Sequence, residues 1–232
     1  MGGNNMRFTA LLKKELRECL PWMIIAALII LLWSGLFLNE LSYRQANEWA
    51  TKTFRSNLLI NATYPPLQDA GVLLFMVSIG LGLVLGLQQY WMPGFRGIWP
   101  FLLHRSSSRR FLLTAKITAG VITFVISCGA IWTLLYFYSC RPGTFWTPPA
   151  FKYLLEGWLL ALLGFVIYLA MALCGLSTAR WYTTKIFPLI LATLVIIAVM
   201  GQWKLYWVLV IPVIGVVIIL AQIYGNFLNR EF

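Results

Sequence analysis

Residues 70–90 read AGVLLFMVSIGLGLVLGLQQY, twenty-one consecutive residues without a charge. An α-helix needs about 20 apolar residues to cross about 30 Å of hydrocarbon, so this stretch predicts a membrane span. Directly after it comes WMPGFRGIWPFLLHRSSSRRFLLTAK, residues 91–116, and then a further charge-free run to residue 139. The connecting segment carries Arg96, Arg105, Arg109, Arg110 and Lys116, five of the eighteen basic residues, and no Asp or Glu. A short loop so one-sided in charge, between two apolar runs, belongs on the cytoplasmic side.

The rest of the chain repeats this alternation. Of its 232 residues 60% are hydrophobic and only 11% charged, and the mean hydropathy is +0.80. An average soluble domain has about a quarter of its residues charged, so the class is an all-α polytopic membrane protein. The net charge of +11 lies in short segments beside apolar runs. There it orients helices and attracts anionic lipid headgroups, and no nucleic-acid partner is expected. Cys19, Cys128, Cys140 and Cys174 stand among apolar neighbours without a CxxC or a nearby His. They are read as small hydrophobes in the packing, neither a disulfide framework nor a metal site.

Upstream, residues 6–20 place Phe8, Leu11, Leu12, Leu16 and Leu20 at helical spacing opposite Arg7, Lys13, Lys14, Arg17 and the glutamates Glu15 and Glu18. That pattern predicts an amphipathic helix lying in the interface, with a bend at Pro21 before the first span. Residues 39–69 are polar and balanced in charge, which suits an extracytoplasmic loop, and the sequon at Asn61 is a pattern that often arises by chance. Downstream of the basic loop, apolar runs at 111–139, 154–176, 186–201 and 205–224 complete six predicted spans, with Pro212 a kink in the last. The fifth is the shortest. Twelve basic residues then fall on the side of the basic loop and six on the other, which places both termini in the cytoplasm. A single transmembrane domain, 1–232, in a cell inner or plasma membrane follows.

Small residues recur every fourth position in two spans: Ser78, Gly82 and Gly86 in the second, and Ala115, Ala119, Thr123 and Ser127 in the third. Such ridges let helices approach closely, and these two are expected to pair within one molecule. No acidic, basic or imidazole group is expected near the middle of a span, which argues against a proton-driven carrier. There is no GxxxxGK[ST] phosphate loop, GxSxG or HExxH, so neither ATP binding in that manner nor hydrolase chemistry has a candidate residue. His104, in the basic loop, is read as a surface or interface residue.

Within that loop, residues 96–104 fit about two turns of helix, with Trp99, Phe101, Leu102 and Leu103 apolar and Arg96, His104 and Arg105 polar. So short a helix cannot bury its apolar side alone; it lies on headgroups or inserts into a partner's groove. Ser106, Ser107 and Ser108 offer an N-cap for the third span.

In this order of features the chain resembles the permease subunits of type-2 ATP-binding-cassette exporters. The resemblance rests on the amphipathic segment 11–19 and on Gly97, Leu102, Leu103, Arg105, Ser108, Arg109 and Lys116 in the loop. Ile98 stands where the family has Thr, Ser106 where it has Pro, and its acidic residue before the Gly is missing. The resemblance implies an elbow helix carrying Leu12, Lys13, Lys14, Leu16 and Arg17, and six spans. It also implies a coupling helix at Arg96, Trp99, Phe101, Leu102, Leu103, His104 and Arg105 that docks on a cytoplasmic ATPase. ATP would be bound by that partner and not by this chain, two permease copies or two similar chains would assemble, and transport would run outward. The apolar lining suggests an amphipathic, lipid-like or peptide-like substrate. Two other readings fit the same residues: a non-transporting membrane scaffold whose loop binds lipid or a cytoplasmic protein, and a small channel or ATP-independent carrier.

Overall fold

The computed structural model describes residues 2–52, 65–97, 109–141, 149–177, 185–200 and 205–228. Every element among the described residues is helical. Helix α1 is Gly2–Lys52. Helix α2 is Pro65–Gly86, carried on by a π-helical stretch, Leu87–Trp91, to a last turn, Met92–Phe95. Helix α3 is Arg109–Phe124 and Ile131–Ser139 joined by a second π stretch, Val125–Ala130. Helices α4, α5 and α6 are Phe151–Leu176, Phe187–Met200 and Leu205–Leu228.

Five of these are long and apolar enough to cross a membrane, which makes the chain a multi-pass membrane protein by helix length and composition. The remaining expected span, the fifth at 186–201, is a helix of only 14 residues. At 1.5 Å per residue it measures about 21 Å, short of the hydrocarbon thickness.

Neighbouring helices alternate in direction. Gln88 of α2 reaches the Glu18 carbonyl of α1, and Trp132 of α3 reaches the Tyr153 carbonyl near the start of α4. The start of α1, the end of α2, the start of α3 and the end of α4 therefore share one end of the bundle, termed the loop end because residues 98–108 leave and re-enter there.

Two seams hold the bundle, and they are not the pairing expected from the small-residue ridges. The ridge of α2 packs on α4. A Cβ on Gly164 would stand 2.6 Å from the Ser78 backbone, and one on Gly86 2.5 Å from Met171 Cβ. Further along, one on Gly175 would stand 2.9 Å from the backbone of Tyr90 and Trp91. At the same seam the Ser78 hydroxyl lies 3.1 Å from the Leu160 carbonyl. Helix α3, with Ala115 and Ala119 fully buried, leans chiefly on α1. The centre is α4, where 78% of the apolar window is buried against 22% for α1.

Two prolines expected to bend the chain lie inside continuous helices: Pro21 in α1 and Pro212 in α6. Proline lacks the N–H that would bond four residues back and leaves the Arg17 carbonyl without its helical donor, a loss tolerated in membrane helices. The expected elbow is thus the first part of one helix that also carries the first span and extends to Lys52.

Candidate functional site

The feature with the most chemistry is a polar cluster buried where α1, α2, α3 and α4 meet at the loop end. Its core is an ion pair: Lys116 Nζ lies 2.9 Å from Glu15 Oε2, and the two side chains are 4% and 1% exposed. At 1.5 Å per residue, Lys116 stands about 9 Å in from Arg110, where the long apolar helix α3 begins, while Glu15 lies in the charged first part of α1, ahead of Pro21. Taking both charges out of water costs several kcal/mol each, and close geometry with further hydrogen bonds must repay it.

Those further bonds come from the other two helices. The Tyr168 hydroxyl of α4 lies 2.6 Å from Gln89 Oε1 of α2 and 3.1 Å from the Lys116 carbonyl of α3. It also meets the Tyr90 hydroxyl at 3.3 Å. Gln89 donates through Nε2 to Cys19 Sγ of α1 at 3.0 Å, and the Lys116 ammonium stands 5.9 Å over the Tyr90 ring. Tyr90 and Tyr168 cross edge to face at 6.0 Å. Gln88 Oε1 is buried with no partner, the one side-chain atom so placed among the described residues.

Local backbone makes this set possible. The π turn at Leu87–Trp91 holds consecutive Gln89 and Tyr90 both buried, and π turns of this kind recur at functional sites. On α3, Gly120 leaves room for Tyr168, whose ring a Cβ there would meet at 2.7 Å. Beyond the cluster, Lys185 Nζ stacks 4.4 Å over the Trp91 ring and ties the chain before α5 to the end of α2.

Glu15 corrects the reading of residues 6–20: it points into the bundle, away from the polar side. Lys13, Lys14 and Arg17 are exposed and Leu12 and Leu16 half-buried. Lys14 pairs with Glu18 at 3.5 Å, a surface contact worth well under about 1 kcal/mol. Lys116 and Glu15 lie near the ends, not the middle, of two of the long apolar helices, and both face inward. A signal was present. Glu15, Cys19, Ala26, Ile30 and Ser34 are all buried on α1, and their spacing of three, four or seven residues puts the acid on the inward stripe. Likewise Lys116 sits one residue after Ala115 and three before Ala119.

Of the expected coupling residues, Arg96 is exposed at the end of α2, while Trp99, Phe101, Leu102, Leu103, His104 and Arg105 lie outside the described residues. Gly97, at φ +63°, ends that helix in the left-handed conformation that favours glycine and turns the chain into the loop. Cys19, Cys128 and Cys174 are buried thiols and Cys140 is half-buried. No protein-family model, curated protein or solved structure matches the chain.

Proposed function

We propose that the chain is the membrane-spanning permease subunit of an ATP-driven exporter of the type-2 ATP-binding-cassette kind. It moves an amphipathic, lipid-like or peptide-like substrate and is driven by a separate cytoplasmic ATPase that binds the ATP. On this reading the loop end and both termini are cytoplasmic, in a cell inner or plasma membrane. The start of α1 takes the elbow's part, α5 with its flanking residues makes the fifth crossing, and a second permease copy or a similar chain completes the path.

The supporting observation is the placement of the Glu15–Lys116 pair. The loop 98–108 joins the end of α2 to the start of α3, and both helices are cross-linked to α1 and α4 by buried polar contacts within about 12 Å of that end. A push on the loop therefore reaches four helices at once instead of being absorbed by one. The apolar residues from Trp99 to Leu103, which membrane topology does not require and which lie outside the described residues, would supply the surface to be pushed.

Replacing Phe101, Leu102 and Leu103 together by Asp tests this reading. Where a neighbouring gene encodes an ATPase with phosphate-loop and signature motifs, its affinity for the chain in co-purification should weaken at least about thirtyfold, the loss of one interface hot spot or more. Unchanged complex formation with unchanged ATPase stimulation sinks the proposal. Orientation is tested separately by Ser107→Cys and Ser56→Cys in a chain lacking its four native cysteines. A membrane-impermeant maleimide should label them from opposite sides, and same-side labelling refutes the arrangement.

The buried pair also favours a second reading, a carrier independent of ATP, because ionisable groups inside spans often mark ion or proton paths. Substrate flux in vesicles that hold the purified chain and no ATPase selects that reading over the first.

A further inference from the structure

At the end of the bundle opposite the loop, α1 and α3 part to leave a cavity of about 430 Å³, within the usual range of small-molecule sites. Its α1 wall is Leu31 and Gly35, and its α3 wall is Ile131, Leu134 and Phe137, with Arg141 at the top. Ser34 also lines it, but donates its hydroxyl to the Ile30 carbonyl at 2.6 Å, so the wall offers no donor there. A Cβ on Gly35 would meet nothing within 4 Å. Apart from Ser34 and Tyr138 the walls are apolar, and the charge is confined to one end.

Arg141 follows the last helical residue of α3 by two positions, which puts it where the hydrocarbon gives way to water. Its guanidinium lies 5.5 Å over the Tyr138 ring and makes no ion pair with any described residue. From Ile131 to Arg141 the axial distance is about 15 Å at 1.5 Å per residue, half the hydrocarbon thickness and therefore one leaflet. A largely apolar trough one leaflet deep, closed at the water boundary by a cation that has no acidic partner among the described residues, matches a lipid whose chain is buried and whose head is negative.

We propose that this cavity is a binding site for a bilayer phospholipid with a net-negative headgroup, its acyl chain between α1 and α3 and its phosphate on Arg141. The site does not depend on the transport reading. Zwitterionic lipids fill the same trough but leave the guanidinium facing an ammonium as well as a phosphate. Selection therefore rests on the head and occupancy on the chain.

The purified chain, exchanged into nanodiscs of equal parts phosphatidylglycerol and phosphatidylcholine, is released and its retained lipid counted by native mass spectrometry. Phosphatidylglycerol should be retained about fivefold over phosphatidylcholine, the value of one interfacial Arg. Arg141→Gln should bring the ratio near parity and Arg141→Lys should keep most of it. Gly35→Trp, which fills the trough, should lower retention of both lipids. Equal retention by the unaltered chain, an Arg141→Gln ratio that does not fall, or full retention in Gly35→Trp each overturns the site. If Arg141→Gln does not fold, the Arg141→Lys and Gly35→Trp arms decide.

Discussion

Lys116→Met lowers the stability of the folded bundle by about 3–5 kcal/mol, the usual penalty for removing one partner of a buried ion pair. The loss follows from what stays behind: Glu15, 1% exposed, keeps its carboxylate among Cys19, Tyr90 and Tyr168 with its 2.9 Å partner gone. Glu15→Leu alone strands Lys116 in the same way. The double variant Glu15→Leu/Lys116→Met removes both charges, and apolar side chains of similar volume in place of a buried pair are often neutral or stabilising. It should therefore return to within about 1 kcal/mol of the unaltered chain, a coupling far outside simple additivity. Unfolding in mixed micelles, followed by tryptophan fluorescence, reads all four proteins. Equal and additive losses in the singles and the double would show that Glu15 and Lys116 do not meet. The double variant also separates stability from work. If it is stable yet fails to stimulate the ATPase partner proposed above, the pair serves the proposed coupling; if it is stable and stimulates that partner fully, the pair only fixes the register of α1 against α3.

Local composition carried much of the fold and little of the site. Charge-free runs located five long helices because crossing the hydrocarbon demands length and apolarity, both visible in any window of about 20 residues. Which helix lies at the centre was hidden. Lipid is as apolar as leucine, so hydropathy does not separate a lipid-facing helix such as α1 from an enclosed one such as α4. Local backbone chemistry singles out Pro21, and the helix runs on through it from the amphipathic segment into the first span. The ridges on α2 and α3 were visible as small residues, but nothing local says that α2 answers to Gly164 on α4 and α3 to α1. Composition alone reads Glu15 as part of a charged face and Lys116 as the end of the basic loop, just inside the third span. Only the period of their apolar neighbours points them inward, and only the fold brings residues 101 positions apart within 2.9 Å.

The α2–α4 seam makes the second large prediction, and α2 holds its own control. Gly82 and Gly80 lie two positions apart in the same helix and differ only in what faces them. A Cβ at Gly82 would collide with the Gly164 carbonyl oxygen and stand 3.1 Å from the Tyr168 backbone nitrogen, while one at Gly80 would meet nothing within 4 Å. Backbone atoms of a central helix cannot swing aside as a side-chain tip can, so Gly82→Ala forces α2 and α4 apart along the whole seam. Overpacking a well-filled interface costs about 1–3 kcal/mol and sometimes more. Helix propensity acts in the opposite direction: Ala is better than Gly in a helix interior by about 1 kcal/mol. Gly80→Ala therefore gains up to that amount, and Gly82→Ala loses about 1 kcal/mol net, up to about 2, despite the same gain. Gly164→Ala, facing the Ser78 backbone at 2.6 Å, should match Gly82→Ala. Separation of the seam would also shift Tyr168 away from Gln89 and loosen the ion pair that their contacts support, so the losses at Gly82 and Lys116 should be less than additive. Indistinguishable stabilities for Gly80→Ala and Gly82→Ala would mean that α2 and α4 do not approach at backbone distance, and the cluster built on that approach would fall with it.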